Sequence, residues 1–498
     1  MAAHGDAWPE SARIASTGLG DMDAGDFRAS AHALADWIAD YFESGSRYPV
    51  LAHVSPGTIR AALDRQAPER GAPMSEILSD FERVLLPGVT HWNQPGFMAY
   101  FPSTGSGPGV LGEFLAAALN QQAMLWRTSP AATELEEVVL DWVAQLIGLP
   151  PGFEGVIHDG GSSSNLHALA AARAAVLPDV RQRGVANRNL RVYASEQAHS
   201  SVAKAVILLG LGLDALEEIP VDRSFRMRAD ALRAAIARDV ARGVRPMAVV
   251  ATAGTTSTGS LDPLPAIAGI CRETGVWLHV DAAYAGAAAI LPDHRWILEG
   301  ADRADSLVLN PHKWLFTPLD LSAFYCRRMD VLRAGLALTA DYLVTREPAA
   351  VRNLMDTGIS LGRRFRALKL WMVLRHFGAE GLRARISGQI RLARRFASWV
   401  AADPGFEIVA PPSLGVVCLR VAPPGVEDDQ ALDALNAAVL DRVNRSGEVF
   451  LSQTRLGGRL AIRLVVGQLR TGEAHVARAW ALLRDAAQGL HRQAGLGT

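Results

Sequence analysis

The chain has 498 residues, 49% hydrophobic and 20% charged, with 50 basic against 51 acidic side chains. That length exceeds one ordinary core, so two or three units sharing interfaces are expected, and the near-zero net charge excludes general attraction to nucleic acid or to an anionic membrane surface. No apolar run reaches the roughly 20 residues of a membrane span and no basic-then-apolar leader opens the sequence, so a cytoplasmic location is expected.

Residues 1 to about 24 are rich in Gly, Ala and Asp and carry little periodicity. From Asp26, a candidate N-cap, the residues Phe27, Ala31, Leu34, Ile38 and Tyr41 recur at helical spacing. Further helices are predicted to start at Ser55-Pro56 and at Ser75. These helices have no sheet of their own and are expected to pack on another surface, a second subunit being the natural one. Thr133 to Gly148 is predicted as a helix, with Thr133 and Glu136 as a capping box and Gly148 and Pro150 as the stop.

Beyond it, short apolar runs at 190–194, 248–252, 276–281, 306–310 and 322–326 alternate with helical patterns at 164–176, 228–241 and 263–274. That alternation predicts an α/β layer with a mostly parallel sheet covered on both faces. After residue 380 the order becomes helix, two strands, helix, two strands, helix, which predicts a smaller α+β domain.

In such a sheet ligands collect where strands end, and four strand exits carry polar residues. Asp159-Gly160-Gly161-Ser162-Ser163-Ser164-Asn165 opens a helix and suits a phosphate, although a capped turn reads the same way. Glu196-Gln197-Ala198-His199-Ser200-Ser201 offers an imidazole able to stack on a planar ring or to serve as a structural hydrogen-bonder. His279-Val280-Asp281-Ala282-Ala283 ends a strand in an acid beside small side chains, which suits a pyridinium nitrogen or a plain helix cap.

Asn310-Pro311-His312-Lys313-Trp314 places one of only three lysines, against 47 arginines, next to a buried strand. A lysine in a dry pocket has a lowered pKa and can attack an aldehyde, which arginine cannot. The three cysteines, Cys271, Cys326 and Cys418, match no metal motif, and no metal is expected. Phosphate cradle, stacking histidine, ring-nitrogen acid and lysine together are the parts of a pyridoxal 5'-phosphate site.

At these residues the sequence resembles the group II pyridoxal-phosphate-dependent amino-acid decarboxylases, from about Asp26 to Trp480. The motifs that carry the resemblance are Pro-Gly-Val-Thr-His-Trp at 87–92, Ala-Tyr-Phe-Pro at 99–102, Thr-Ser-Pro-Ala-Ala-Thr-Glu-Leu-Glu at 128–136 and Ala-His-Ser-Ser at 198–201. His-Val-Asp-Ala-Ala-Tyr-Ala-Gly at 279–286, Asn-Pro-His-Lys-Trp at 310–314 and Leu-Gly-Arg-Arg-Phe-Arg-Ala-Leu-Lys at 361–369 complete it. The phosphate segment departs from the Gly-Ser-Ala-Ser-Glu-Ala of the animal aromatic enzymes.

The resemblance implies fold type I: an N-terminal helical segment (1–90) packing on a partner subunit, a large seven-stranded-type domain (91–380) and a small C-terminal domain (381–498). It implies Lys313 as the Schiff-base lysine, Asp281 as partner of the pyridine nitrogen, and His199 and Ala283 as the two faces clasping the ring. Gly161, Ser162, Thr256, Asn310 and His312 become further cofactor contacts. Tyr342 becomes the proton donor to Cα, acting with His199, and because relatives that form aldehydes tend to lack one of these two, decarboxylation to the amine is expected.

The resemblance also places Trp92, Phe101, Pro102, Ser103, Gln122, Met124 and Gly362 around the substrate side chain, Met124 from the partner of a homodimer with shared active sites. That slot suits an aromatic L-amino acid. An aromatic aldehyde synthase, a glutamate-type decarboxylase and a non-catalytic cofactor-binding scaffold are the alternatives. Gln122 leans toward a polar substituent, while Arg127 and Arg363 are the side chains that would have to bind a distal carboxylate.

Overall fold

The computed structural model describes residues 20–338 and 351–493. Its centre is a seven-stranded sheet built from β1 (Glu154–His158), β2 (Leu190–Ser195), β3 (Leu216–Ile219), β4 (Arg245–Thr252), β5 (Trp277–Asp281), β6 (Ser306–Leu309) and β7 (Ser322–Cys326), in the spatial order β1-β7-β6-β5-β4-β2-β3. Strands β6, β5, β4, β2 and β3 pair in parallel, and β7 runs antiparallel to both its neighbours. The sheet is therefore mostly parallel and the fold is type I.

The apolar runs are continuous because both faces are covered. Along β4 the side chains alternate: Val249 and Ala251 join the core beneath the helices Pro130–Ile147, Ala229–Ala241 and Leu264–Thr274, whereas Ala248 and Val250 join the core beneath Gly161–Val176, Ser201–Leu208 and Met329–Leu336. All four are fully buried. Strands β1 and β3 were not visible in the sequence pattern. Their burial is mixed, and Glu217 and Glu218 interrupt β3 where it forms the sheet edge.

A second sheet, β8 (Phe406–Ile408), β9 (Val416–Val421), β10 (Ser452–Leu456) and β11 (Arg459–Val465), is antiparallel in the order β10-β11-β9-β8. It packs on the helices Asp429–Asn444 and Glu473–Gln493 and on the C-terminal half of the long helix Ala367–Ala402. That long helix is broken at Gly378, whose φ of 60° and ψ of 176° are non-helical. The glycine tolerates this left-handed φ without a side-chain penalty.

Three helix starts differ from expectation. The first helix spans Ala24–Ser44, and its cap is Asp23, whose carboxylate accepts from the Gly25 N–H at 2.7 Å; Asp26 lies inside the first turn. The second begins at Thr58 behind the left-handed Gly57, and the third begins at Met74. The capping box at Thr133 also fails, because the helix already starts at Pro130 behind Ser129. Thr133 Oγ1 instead donates to the Ser129 carbonyl, and Glu136 is turned inward.

Glu136 accepts from the Ile157 N–H at 2.8 Å and from Arg363 Nη2 at 2.7 Å; Glu136 is buried and the Arg363 side chain is 9% exposed. It joins a helix, strand β1 and the segment before the long helix. Removing one partner strands a buried charge, so Glu136→Ala is expected to destabilise the protein by about 3–5 kcal/mol. Glu136→Gln, which keeps an acceptor for Ile157, should lose less. Thermal unfolding of the two variants tests this, and an unchanged midpoint for Glu136→Ala would refute it.

Candidate active site

The strand exits meet around one cavity of roughly 380 Å³ lined by Gly161, Ser162, His199, Thr256, Asp281, Ala283, Asn310, His312 and Lys313, together with Phe101 and Asn165. Each reaches the cavity through its place in the sheet. Asp281 is the last residue of β5, paired in register with Thr252 of β4. Lys313 sits in a single helical turn immediately after β6, and Gly161 starts the helix after β1.

At the helix start, amide groups of the first turn have no intrahelical acceptor and can bind an anion. Asn310 completes this cradle. Its Oδ1 accepts from Ser322 Oγ at 2.7 Å, so its amide nitrogen is the atom turned toward Gly161. A Cβ on Gly161 would lie 2.8 Å from that nitrogen, so the approach requires glycine. His312 Nδ1 accepts from the Leu321 N–H at 2.9 Å, which leaves its proton on Nε2. Burial depresses the His312 pKa to about 3, so the ring stays neutral.

Lys313 is the one lysine suited to nucleophilic work. Lys204 is exposed, and Lys369 is buried against the Glu113 carboxylate. Burial lowers the Lys313 pKa; Asp281 opposes that shift and Arg463 adds to it. The result favours a free amine, the reactive form. Its Nζ lies 5.4 Å from the centroid of Phe101, which stacks on Tyr284 at 3.8 Å, and Tyr284 stacks in turn on Trp314 at 4.5 Å. Of these rings Phe101 and Tyr284 line the cavity, and Trp314 backs Tyr284.

The Asp281 carboxylate is 5% exposed and accepts from the Ala283 N–H at 3.1 Å and from Asn165 Nδ2 at 2.9 Å. Burial lowers the His199 pKa; Asp281 opposes the shift, and Lys313 and Lys204 reinforce it. Thr252 Oγ1 also lines the cavity and is buried with no hydrogen-bond partner among the described residues. An unpartnered hydroxyl in a dry cavity signals a polar ligand. A planar phosphorylated pyridine aldehyde fits this donor set: anion cradle, dry amine, acid and stacking ring.

The expected substrate residues divide. Within one chain only Phe101 lines the cavity. Trp92 is 39% exposed and stacks on Phe97 and Tyr100, Pro102 is buried beside Gly467, and Ser103 is half-buried. Gln122, Met124 and Gly362 gather elsewhere: Gln122 Oε1 accepts from the Arg363 N–H at 2.6 Å, and its amide nitrogen lies 3.2 Å from where a Cβ on Gly362 would be. The Met124 carbonyl accepts from the Met355 N–H. The oxygen of Gln122 thus already has a partner in its own chain. Tyr342 lies outside the described residues.

Sequence reasoning missed Thr252, Ser201 and Asn165 as site residues, although Asn165 and Ser201 stand in two of the segments it singled out. It also missed Arg463, a buried guanidinium whose Cζ lies 4.7 Å from the Phe101 centroid and whose Nη2 has no hydrogen-bond partner among the described residues. Arg463 lies in a C-terminal strand more than a hundred residues from the other site groups, and no local pattern marks it.

A seven-stranded fold type I sheet with a buried lysine and an acid at adjacent strand exits defines a pyridoxal-phosphate enzyme. The comparisons narrow this. The family model described as the pyridoxal-dependent decarboxylase conserved domain matches residues 56–422. The chain is 40% identical to a phenylacetaldehyde synthase of Arabidopsis thaliana, over 94% of this chain and 97% of that protein, and 40% identical to a tryptophan decarboxylase of Camptotheca acuminata, over 94% and 96%. A crystal structure of Oryza sativa TDC with PLP and tryptamine superposes with a TM-score of 0.92 at 36% identity, covering 95% of this chain and all of that one.

The chain belongs to the pyridoxal-dependent decarboxylase family. It is a carboxy-lyase that uses pyridoxal 5'-phosphate to decarboxylate an amino acid. Borohydride reduction of the cofactor-loaded protein followed by peptide mapping is expected to leave the cofactor on Lys313. Label on Lys204 or Lys369 would overturn that assignment.

Proposed function

We propose that the protein converts an aromatic L-amino acid to its amine and carbon dioxide. The observation that carries this reading is that Lys313 is the sole cation among the described residues lining a cavity to which Phe101 and Tyr284 contribute aromatic rings. A glutamate-type substrate needs a second cation for its distal carboxylate. Arg363 is committed to Glu136, and Arg463, close to Lys313 and Phe101, suits the α-carboxylate that every amino acid carries. The relatives named above support a ring in the side chain.

Bound pyridoxal phosphate supplies the electron sink for the pair left when the bond from Cα to the carboxylate breaks. Lys313 would hold the cofactor through its amine, and Asp281 would keep the pyridine nitrogen protonated. Gly161, Ser162, Thr256, Asn310 and His312 would hold the phosphate end and the ring edge, and His199 and Ala283 would hold the ring. Tyr342, with His199, returns a proton to Cα, so that the product is the amine.

The relatives include both amine-forming and aldehyde-forming enzymes at the same identity, so overall likeness does not separate the two outcomes. The presence of both His199 and Tyr342 supports the amine.

The working unit in this reading is a homodimer. Phe27, Leu111, Phe114, Leu115 and Leu119 form an apolar surface that is 45–61% exposed in a single chain. Gln122, Met124 and Gly362 would then enter the partner's pocket beside Trp92, Pro102 and Ser103. The segment 1–90 serves the dimer, 91–380 carries the cofactor and 381–498 forms the small domain. Among the described residues no helix is long and apolar enough to cross a membrane, and the three cysteines are free and buried; both fit a cytoplasmic location.

Two measurements test the proposal. For tryptophan, tyrosine or phenylalanine, kcat/KM should exceed that for glutamate by at least tenfold, about 1.4 kcal/mol of transition-state preference; the reverse ranking would sink the substrate assignment. Tyr342→Phe should keep cofactor and substrate binding but shift products from amine toward aldehyde, ammonia and peroxide as oxygen intercepts the unprotonated carbon. An unchanged amine yield would show that another group protonates Cα.

A further inference from the structure

Along the inner edge of the cavity a buried polar cluster links Asp281 and His199 through side chains to which the proposed chemistry gives no role. Asn165 Nδ2 donates to Asp281 Oδ2 at 2.9 Å and to Ser201 Oγ at 2.8 Å, and Asn165 Oδ1 lies 2.8 Å from His279 Nε2. His279 Nδ1 lies 2.9 Å from Ser306 Oγ, which accepts from Trp277 Nε1 at 3.0 Å. On the other side Ser201 Oγ lies 2.8 Å from His199 Nδ1, and the Ser201 N–H reaches the same nitrogen at 3.2 Å. Asn165, Ser201, His279 and Ser306 are all nearly or fully buried.

Every proton in this cluster can be assigned from donor and acceptor chemistry. A carboxylate only accepts, so the amide nitrogen of Asn165 must be the atom at Asp281, which turns its oxygen to His279 and requires a proton on His279 Nε2. His279 Nδ1 is then an acceptor, matched by the Ser306 hydroxyl. A neutral His279 agrees with its burial, which pushes its pKa down to about 4. The second amide hydrogen of Asn165 goes to Ser201 Oγ. That hydroxyl has one proton of its own to give, and His199 Nδ1 is the acceptor beside it. Since the Ser201 N–H points at the same atom, a proton on His199 Nδ1 would face two donors. His199 therefore carries its proton on Nε2.

We infer that Asn165 is a positioning residue that couples the two groups meeting the cofactor ring, holding the Asp281 carboxylate with one amide hydrogen and fixing the His199 proton on Nε2 through Ser201 with the other. This rests on the reading of Asp281 and His199 as cofactor contacts and extends it: the side chain that orients the ring-nitrogen acid also decides which nitrogen of the stacking histidine is a donor. Only an amide does both at this point. Aspartate would oppose a second carboxylate to Asp281, and a hydroxyl has a single proton to share.

The test uses the cofactor-loaded enzyme and two pairs of variants. Asn165→Asp should weaken cofactor binding roughly tenfold or more, since a hydrogen bond to a charged group is replaced by a repulsion. Ser201→Ala leaves the Asn165 contact with Asp281 intact, so cofactor affinity should hold while kcat falls roughly tenfold at unchanged KM. In the same variant, loss of the hydroxyl that donates to Nδ1 makes His199 easier to protonate, so the low-pH limb of kcat should move to higher pH. The charged groups acting on His199, namely Asp281, Lys313 and Lys204, are unchanged in it.

Unaltered cofactor affinity in Asn165→Asp, or an unaltered pH profile in Ser201→Ala, would overturn the coupling. Asp281→Ala and His199→Ala, measured alongside, separate the two levels. If these lack effect on cofactor affinity and on the pH profile respectively, the underlying site reading fails. If they act while Asn165→Asp and Ser201→Ala do not, only the coupling fails.

Discussion

The sheet is covered on both faces, and the chemistry of the molecule depends on that constraint. Strands β4, β5 and β6 are buried along their apolar lengths, so the charged groups Asp281 and Lys313 stand where strands stop, while the imidazole inside β5, His279, is hydrogen-bonded on both nitrogens. Parallel strands stop on the same edge, so residues distant in sequence converge there. Asp281, Lys313, His199 and Gly161 share one cavity for this reason, and none of them is brought there by local sequence contacts.

Dryness then sets the chemical character of each group. The same burial lowers the pKa of Lys313 toward the free amine and holds His199, His279 and His312 toward their neutral forms. Neutral imidazoles have one donor and one acceptor each, so their orientation is meaningful, and the surrounding serines and amides select it. In water these groups would titrate independently and tumble. Inside the sheet edge they form a fixed array, beside which Thr252 Oγ1 is buried without a hydrogen-bond partner among the described residues.

Binding of the substrate side chain is organised differently from binding of the cofactor. The cofactor residues come from one sheet edge and meet in a single chain. Of the residues expected around the substrate side chain, one chain brings only Phe101 to the cavity, while Gln122 accepts from the Arg363 N–H beside Gly362 and the Met124 carbonyl accepts from Met355. In the proposed homodimer the two groups would meet at a shared site, and substrate choice would rest on loops at the subunit boundary, where residues change with less cost to the core than they would in the sheet.

The alternation of buried strands and amphipathic helices was legible in the chain, and so were the four polar strand exits, because glycine, acid and lysine interrupt apolar runs there. Lys313 stood out because arginine had replaced nearly every other lysine. Local patterns misread Thr133 and Glu136 as a cap, since the same residue types serve a cap in water and an ion pair in a core; the choice lay with Arg363, more than two hundred residues away. The edge strands β1 and β3 were hidden for a related reason, because mixed burial weakens the alternation that reveals a strand. Which serine, amide and imidazole hydrogen-bond around Asp281, and which way each proton points, emerged from the folded arrangement alone. Such contacts depend on distances between strands, and a linear sequence does not carry those distances.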